Sequence, residues 1–153
     1  MTKIKKINKG FTLIELLIVI AIIGVLATLL MVNFIGVRQR ARDAQRKSDV
    51  RQIQAALEIY RSDNQTYPPL AGNGSFSTNN SCGQSLKDPT GASTYMTKIP
   101  CDPTSGSYTY SLTASGGYTL VACLENGSDS QKDASKDASC PAGAAASFTV
   151  YSP

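Results

Sequence analysis

Hydrophobic residues are arranged along this chain in three ways, and each arrangement predicts a different element. From Phe11 to Val37 the sequence is almost continuously apolar, rich in Leu, Ile and Ala and free of proline, with Glu15 as its only charged residue. About 20 apolar residues suffice to cross a bilayer as a helix, and this run is longer. Beyond Arg38 the pattern becomes periodic. Val50, Ile53, Leu57 and Tyr60 recur at spacings of three and four, which makes one apolar helical face, while Arg51, Gln54, Glu58 and Arg61 point elsewhere. The two stretches read as one helix from Phe11 to about Arg61, stopped by Asn64 and Pro68-Pro69. At about 1.5 Å per residue such a helix is about 75 Å long. A hydrocarbon core is about 30 Å thick, so the second half is expected to project from the membrane.

The third arrangement is alternation with period two. Tyr108, Tyr110 and Leu112 alternate with polar residues, as do Tyr118, Leu120 and Ala122, and Ala114-Ser115-Gly116-Gly117 between them reads as a hairpin turn. Ser147 to Tyr151 predicts a third strand with Phe148 and Val150 on one face. Three strands covered by a helix are about the minimum for an independently stable sheet. The fold class expected is α+β: a long N-terminal helix, membrane-spanning in its first half and amphipathic in its second, packed on a small antiparallel sheet. The chain divides into a leader (1–10), an apolar helix (11–37), an amphipathic helix (38–61) and a loop-and-sheet head (62–153).

Charge sharpens this picture. The net charge is +4, from 15 basic and 11 acidic side chains, and four of the basic ones are Lys3, Lys5, Lys6 and Lys9 in the leader. Without the leader 11 face 11, so the basicity is no nucleic-acid footprint. Arg38, Arg42 and Arg46 form a stripe at i, i+4 spacing. A solvated basic face is the favoured reading of that stripe; contact with anionic headgroups, or with acidic groups of a neighbouring subunit, are the alternatives, and Asp43 and Asp49 offer local partners. Because basic residues flank the apolar run on both sides, the positive-inside rule is ambiguous. Cysteines decide the topology instead. Cys82, Cys101, Cys123 and Cys140 form an even set in a small Ser/Thr/Gly-rich region, which suits an oxidising compartment outside the cytoplasm. Of the three connectivities allowed, Cys82–Cys101 and Cys123–Cys140 are favoured, each closing a short loop. Zinc is disfavoured, since the chain has no histidine and no Cys-x-x-Cys pair. The lack of histidine also removes triad and imidazole acid–base chemistry, and no enzymatic activity is expected.

One stretch is more specific than all of these. Gly10-Phe11-Thr12-Leu13-Ile14-Glu15, preceded by lysines and followed by the apolar run, resembles the prepilin-type signal of type IV pilins and type II secretion pseudopilins. A carboxylate within a bilayer costs about 2.5–3.5 kcal/mol on insertion scales, so Glu15 asks for a function. The resemblance implies cleavage between Gly10 and Phe11 by a prepilin peptidase, and N-methylation of Phe11. It then implies extraction by an assembly ATPase and a membrane platform protein into a homo-oligomeric helical filament. In that filament Glu15 would pair with a neighbour's Phe11 amine, each charge offsetting part of the cost of burying the other. Pro100-Cys101-Asp102-Pro103 before Tyr108 resembles the Asp-Pro loop of major pseudopilins, whereas the proline such proteins carry near Val32 is missing.

The resemblance leaves a choice between pilus and secretion pseudopilus, for secretion, adhesion, motility or DNA uptake. In either case it implies a single-pass inner-membrane protein with its head outside the cytoplasm before assembly. Nucleic-acid binding is disfavoured. No cofactor is expected, although the family suggests a calcium hypothesis on Glu125, Asp129 and Asp133, against which the interleaved lysines and serines favour a solvated loop. The reading from a different class is a membrane-anchored extracytoplasmic binding module that does not polymerise.

Overall fold

A computed structural model describes residues 10–70, 82–104 and 106–153, and the backbone alone at 31–33. The leader before Gly10 lies outside the described residues. The chain forms two compact units, Met1–Val37 and Arg38–Pro153, and helix α1, Leu13–Asn64, contributes to both. In the first unit the backbone is helical from Leu13 onward and stays so through Val32 and Gly36, because no proline removes an i→i−4 bond or forces a kink. The stretch Leu13–Leu30 is long and apolar enough to cross a membrane, and none of it is buried.

α1 ends at Asn64, about one turn later than the periodicity suggests. Gln65 takes a left-handed conformation (φ 60°) and its N–H donates to the Arg61 carbonyl at 2.8 Å, the usual geometry of a helix C-terminus. Pro68 and Pro69 then prevent resumption.

The second unit is built on the amphipathic half of α1. Two short strands, β1 (Leu86–Lys87) and β2 (Thr94–Met96), pair antiparallel in a region that sequence alone presented as loop. The main sheet follows, with β3 (Thr109–Leu112), β4 (Tyr118–Leu124) and β5 (Ala146–Tyr151) antiparallel in the order β3-β4-β5. Tyr110 stands opposite Leu120, and Ala122 opposite Phe148. At the β3–β4 turn Gly116 has φ 84°, a conformation that favours glycine, and its N–H donates to the Thr113 carbonyl at 3.0 Å. At Gly117 a Cβ would lie 2.3 Å from Ser152 Oγ, so that hydroxyl would have to turn away to admit one.

Val50, Ile53, Leu57 and Tyr60 are buried with Tyr108, Tyr110, Tyr118, Leu120 and Ala122, so the amphipathic face covers the sheet as the spacing implied. Leu86, Ile99 and Tyr67 complete the core. Its tyrosines pack edge-on, Tyr67 against Tyr118 at 4.7 Å and Tyr60 against Tyr95 at 5.1 Å between centroids. Three of the buried hydroxyls donate to fixed acceptors: Tyr108 to Asp49 Oδ2 at 2.7 Å, Tyr110 to the Pro68 carbonyl at 3.0 Å and Tyr118 to Glu58 Oε1 at 3.2 Å. The structure pairs Cys82 with Cys101 and Cys123 with Cys140.

Candidate assembly segment and loop clasp

The N-terminal candidates lie at the start of α1. Gly10, Phe11 and Thr12 precede the helix in non-helical backbone, and Phe11 is 86% exposed. Glu15 occupies the first turn. Thr12 donates to Glu15 Oε2 from its backbone N–H at 2.9 Å and from its hydroxyl at 2.7 Å, and the Glu15 N–H donates to Thr12 Oγ1 at 3.3 Å. This is a capping box, written in the sequence as Thr12-x-x-Glu15 and not recognised there. It satisfies helix N–H groups and sets the carboxylate at the positive end of the helix dipole. Leu13, Ile14, Leu16, Leu17, Ile20 and Ile23 beyond it are each more than half exposed.

The basic stripe of α1 departs from expectation. Arg38 is exposed, but Arg46 is only 1% exposed, and neither it nor Arg42 faces solvent as a free cation. Arg46 Nε donates to Asp102 Oδ2 at 2.6 Å, Nη1 to Asp43 Oδ1 at 2.7 Å, and Nη2 to Asp102 Oδ1 at 3.1 Å and Thr104 Oγ1 at 2.6 Å. Nη1 also pairs with Glu125 Oε1 at 2.8 Å. Arg42 forks onto the two oxygens of Glu125, with Nε 2.7 Å from Oε1. Lys47 Nζ reaches Asp129 Oδ2 at 2.7 Å. Asp43 turns the other way as well, its two oxygens accepting the backbone N–H groups of Glu125 at 3.0 Å and Asn126 at 2.8 Å.

The reason lies in the helical register. Asp43 and Arg46 continue the face of Val50, Ile53, Leu57 and Tyr60 at spacings of three and four, so they are carried inward with it. A buried charge requires a partner, and the partners come from the Asp-Pro loop and from the turn after β4. Desolvation alone would depress the Arg46 guanidinium; its hydrogen bonds to Asp102, Asp43 and Glu125 outweigh this and hold its pKa above the ordinary value. The Arg42 hydrogen bond holds Glu125 below the ordinary carboxylate value, and Lys47 does the same for Asp129.

The carboxylates considered for calcium are therefore engaged elsewhere. Glu125 belongs to the arginines, Asp129 to Lys47, and Asp133 accepts from Ser147 Oγ at 2.6 Å, Thr149 Oγ1 at 2.7 Å and the Thr149 N–H at 3.1 Å. Calcium takes six to eight oxygens around one point. These three acids do not converge, and among the described residues no group of three or more His, Cys, Asp or Glu side chains is placed to hold a metal. The residues do not fit the ion. The segment is a largely exposed loop, as the interleaved lysines and serines suggested, but Asp133 ties it down: it receives Thr149 along the β5 edge while its own N–H donates to the Ser147 carbonyl at 2.8 Å, covering backbone groups that an edge strand leaves open.

Residues 5–31 match the model of the prokaryotic N-terminal methylation motif, and residues 33–140 match that of type II secretion system protein G. The type II secretion system core protein G of Pseudomonas aeruginosa is 33% identical over 139 residues, 82% of this chain and 92% of that protein. That of Dickeya chrysanthemi is 29% identical over 138 residues, 85% of this chain and 84% of that protein. The Escherichia coli protein of the same name is 32% identical over 109 residues, 66% of this chain and 70% of that protein. No solved structure matches the chain significantly. With a methylation motif ahead of a protein G region that spans most of the remaining sequence, the chain belongs to the type II secretion system protein G family.

Proposed function

We propose that this protein is the precursor of a structural, non-enzymatic subunit of a type II secretion pseudopilus, a homopolymeric filament. The observation that carries the reading is Leu13–Leu30, an 18-residue apolar stretch of α1 with no buried residue and Glu15 as its single acid. Burying one Leu or Ile side chain is worth about 1.5–3 kcal/mol, so a row of them cannot stay in water. Lipid covers it before assembly and neighbouring helices cover it in the filament.

In this reading a prepilin peptidase cuts the Gly10–Phe11 bond and methylates Phe11. Glu15 then meets the Phe11 amine of an adjacent subunit, which sets axial register, while an assembly ATPase and platform protein supply the work. The non-helical backbone and exposure around Phe11 suit a protease, and the division between compact units at Val37–Arg38 supports separating a filament-core helix (11–37) from a head (38–153). The two disulfides support a head outside the cytoplasm. Secretion is favoured over pilus functions by the protein G match.

The test is intact mass after co-expression with a prepilin peptidase, with filament formation scored for the wild type and Glu15→Leu. A chain starting at Phe11 and one methyl heavier is expected, with Glu15→Leu cut but not polymerised. An uncut chain beside active peptidase would leave a membrane-anchored binding module as the better account.

A further inference from the structure

We propose that the loop after β4 is organised by a cation belonging to the chain itself, the Arg46 guanidinium assisted by Arg42 and Lys47, so that this head folds and holds its shape without a divalent metal. Arg46 gathers oxygens from three separate segments: Asp43 on α1, Asp102 and Thr104 before β3, and Glu125 after β4. That is the task a structural metal performs in a small loop-rich domain, cross-linking anionic groups that would otherwise repel. A guanidinium does it with five N–H groups in a fixed plane, and four bonds from Arg46 to Asp43, Asp102 and Thr104 are made at 2.6–3.1 Å.

Charge balance points the same way. Arg42, Arg46 and Lys47 stand against Asp43, Asp102, Glu125 and Asp129, and every one of these carboxylates is already bonded to a cation. Adding a dication would give the cluster excess positive charge. It would also strip donors from oxygens that are paired, since Asp43 spends both of its oxygens on the loop's own N–H groups. Further along the loop, Asp133 is saturated by Ser147 and Thr149, and Asp137 receives the N–H of Ser139 at 2.8 Å and its hydroxyl at 2.6 Å. No carboxylate of the clasp waits for a metal.

The experiment uses the full-length protein in detergent, stripped with EDTA and then given millimolar calcium. Thermal unfolding is followed by near-UV circular dichroism, and loop order by amide hydrogen exchange over residues 125–131. For the wild type both readouts should be the same with EDTA and with calcium. Arg42→Gln, at a side chain one-third exposed, should still fold and should speed exchange over 125–131 by about tenfold, the loss of a charge-assisted hydrogen bond. Arg46→Lys keeps the charge and loses the fork, and should be at least as damaging. A rise of several degrees in wild-type Tm on adding calcium, or slower loop exchange with calcium, would overturn the proposal. So would Arg42→Gln with wild-type loop exchange.

Discussion

Raising the pH should unfold the head through its tyrosines. Tyr108, Tyr110 and Tyr118 are each at most 3% exposed. Burial pushes all three phenols well above their ordinary value, and neighbouring Asp49 adds to the effect at Tyr108, as Glu58 does at Tyr118. An unfolded tyrosine ionises at about pH 10. Above that point the native head therefore retains protons that the unfolded chain has lost, and stability falls as pH rises; below it the contribution is fully present. Each phenol costs about 1.4 kcal/mol per pH unit, so three together cost about 4 kcal/mol per unit. Two units beyond pH 10 remove about 8 kcal/mol, which exceeds the lower part of the usual range of about 5–15 kcal/mol for a domain. A head whose stability lies below about 8 kcal/mol therefore unfolds by about pH 12. The assay is an alkaline titration of the full-length protein in detergent, reading tyrosinate absorbance and near-UV circular dichroism together. The buried phenols should ionise in the same cooperative step that abolishes the tertiary signal, and Tyr110→Phe should lower the slope by about 1.4 kcal/mol per pH unit. A broad ionisation of all tyrosines centred near pH 10, with the near-UV spectrum intact, would refute the reasoning.

Two other predictions concern the loop. Replacing both Cys123 and Cys140 by Ala opens a bridge with a sequence separation of 17 and should cost about 3 kcal/mol, read as a lower denaturant midpoint. Glu125 and Asp129, held below the ordinary carboxylate value by Arg42 and Lys47, contribute stability that is present above about pH 4 and lost as pH falls through their folded values. Tm should thus be level at mildly acidic pH and drop below about pH 4, and a Tm unchanged down to about pH 2 would contradict the ion-pair account.

Much of the fold was legible because its signals are local. The helix announces itself by an apolar run without proline, its buried face by Val50, Ile53, Leu57 and Tyr60, and the hairpin by Gly116-Gly117 between alternating segments. The loop clasp was not legible in the same way. Arginines at a helix surface are mostly exposed; Asp43, three residues from Arg46, was in view as a local partner, but Glu125 for Arg42 and Asp102 for Arg46 stand 83 and 56 residues away, where no periodicity connects them. A signal did exist: Asp43 and Arg46 fall on the same spacing as the core residues, so the face that must be buried includes two charges. β1 escaped notice because two residues carry no period, and Leu86 and Ile99 joined the core from a segment without one.

Synthesis from the N-terminus gives the clasp a consequence in time. The inner face of α1 is made first, but its covering arrives late: Tyr108 reaches Asp49 across 59 residues, and Glu125 reaches Arg42 across 83. At about 5–20 residues per second the helix waits about 3–17 s with its core face bare, and slow closure of distant contacts follows it. A chain cut short before Glu125 leaves Asp43 without the loop amides and Arg42 without its partner. Completion of the head is thereby tied to arrival of the last fifth of the polypeptide, and a truncated subunit carries its own mark of being unfinished.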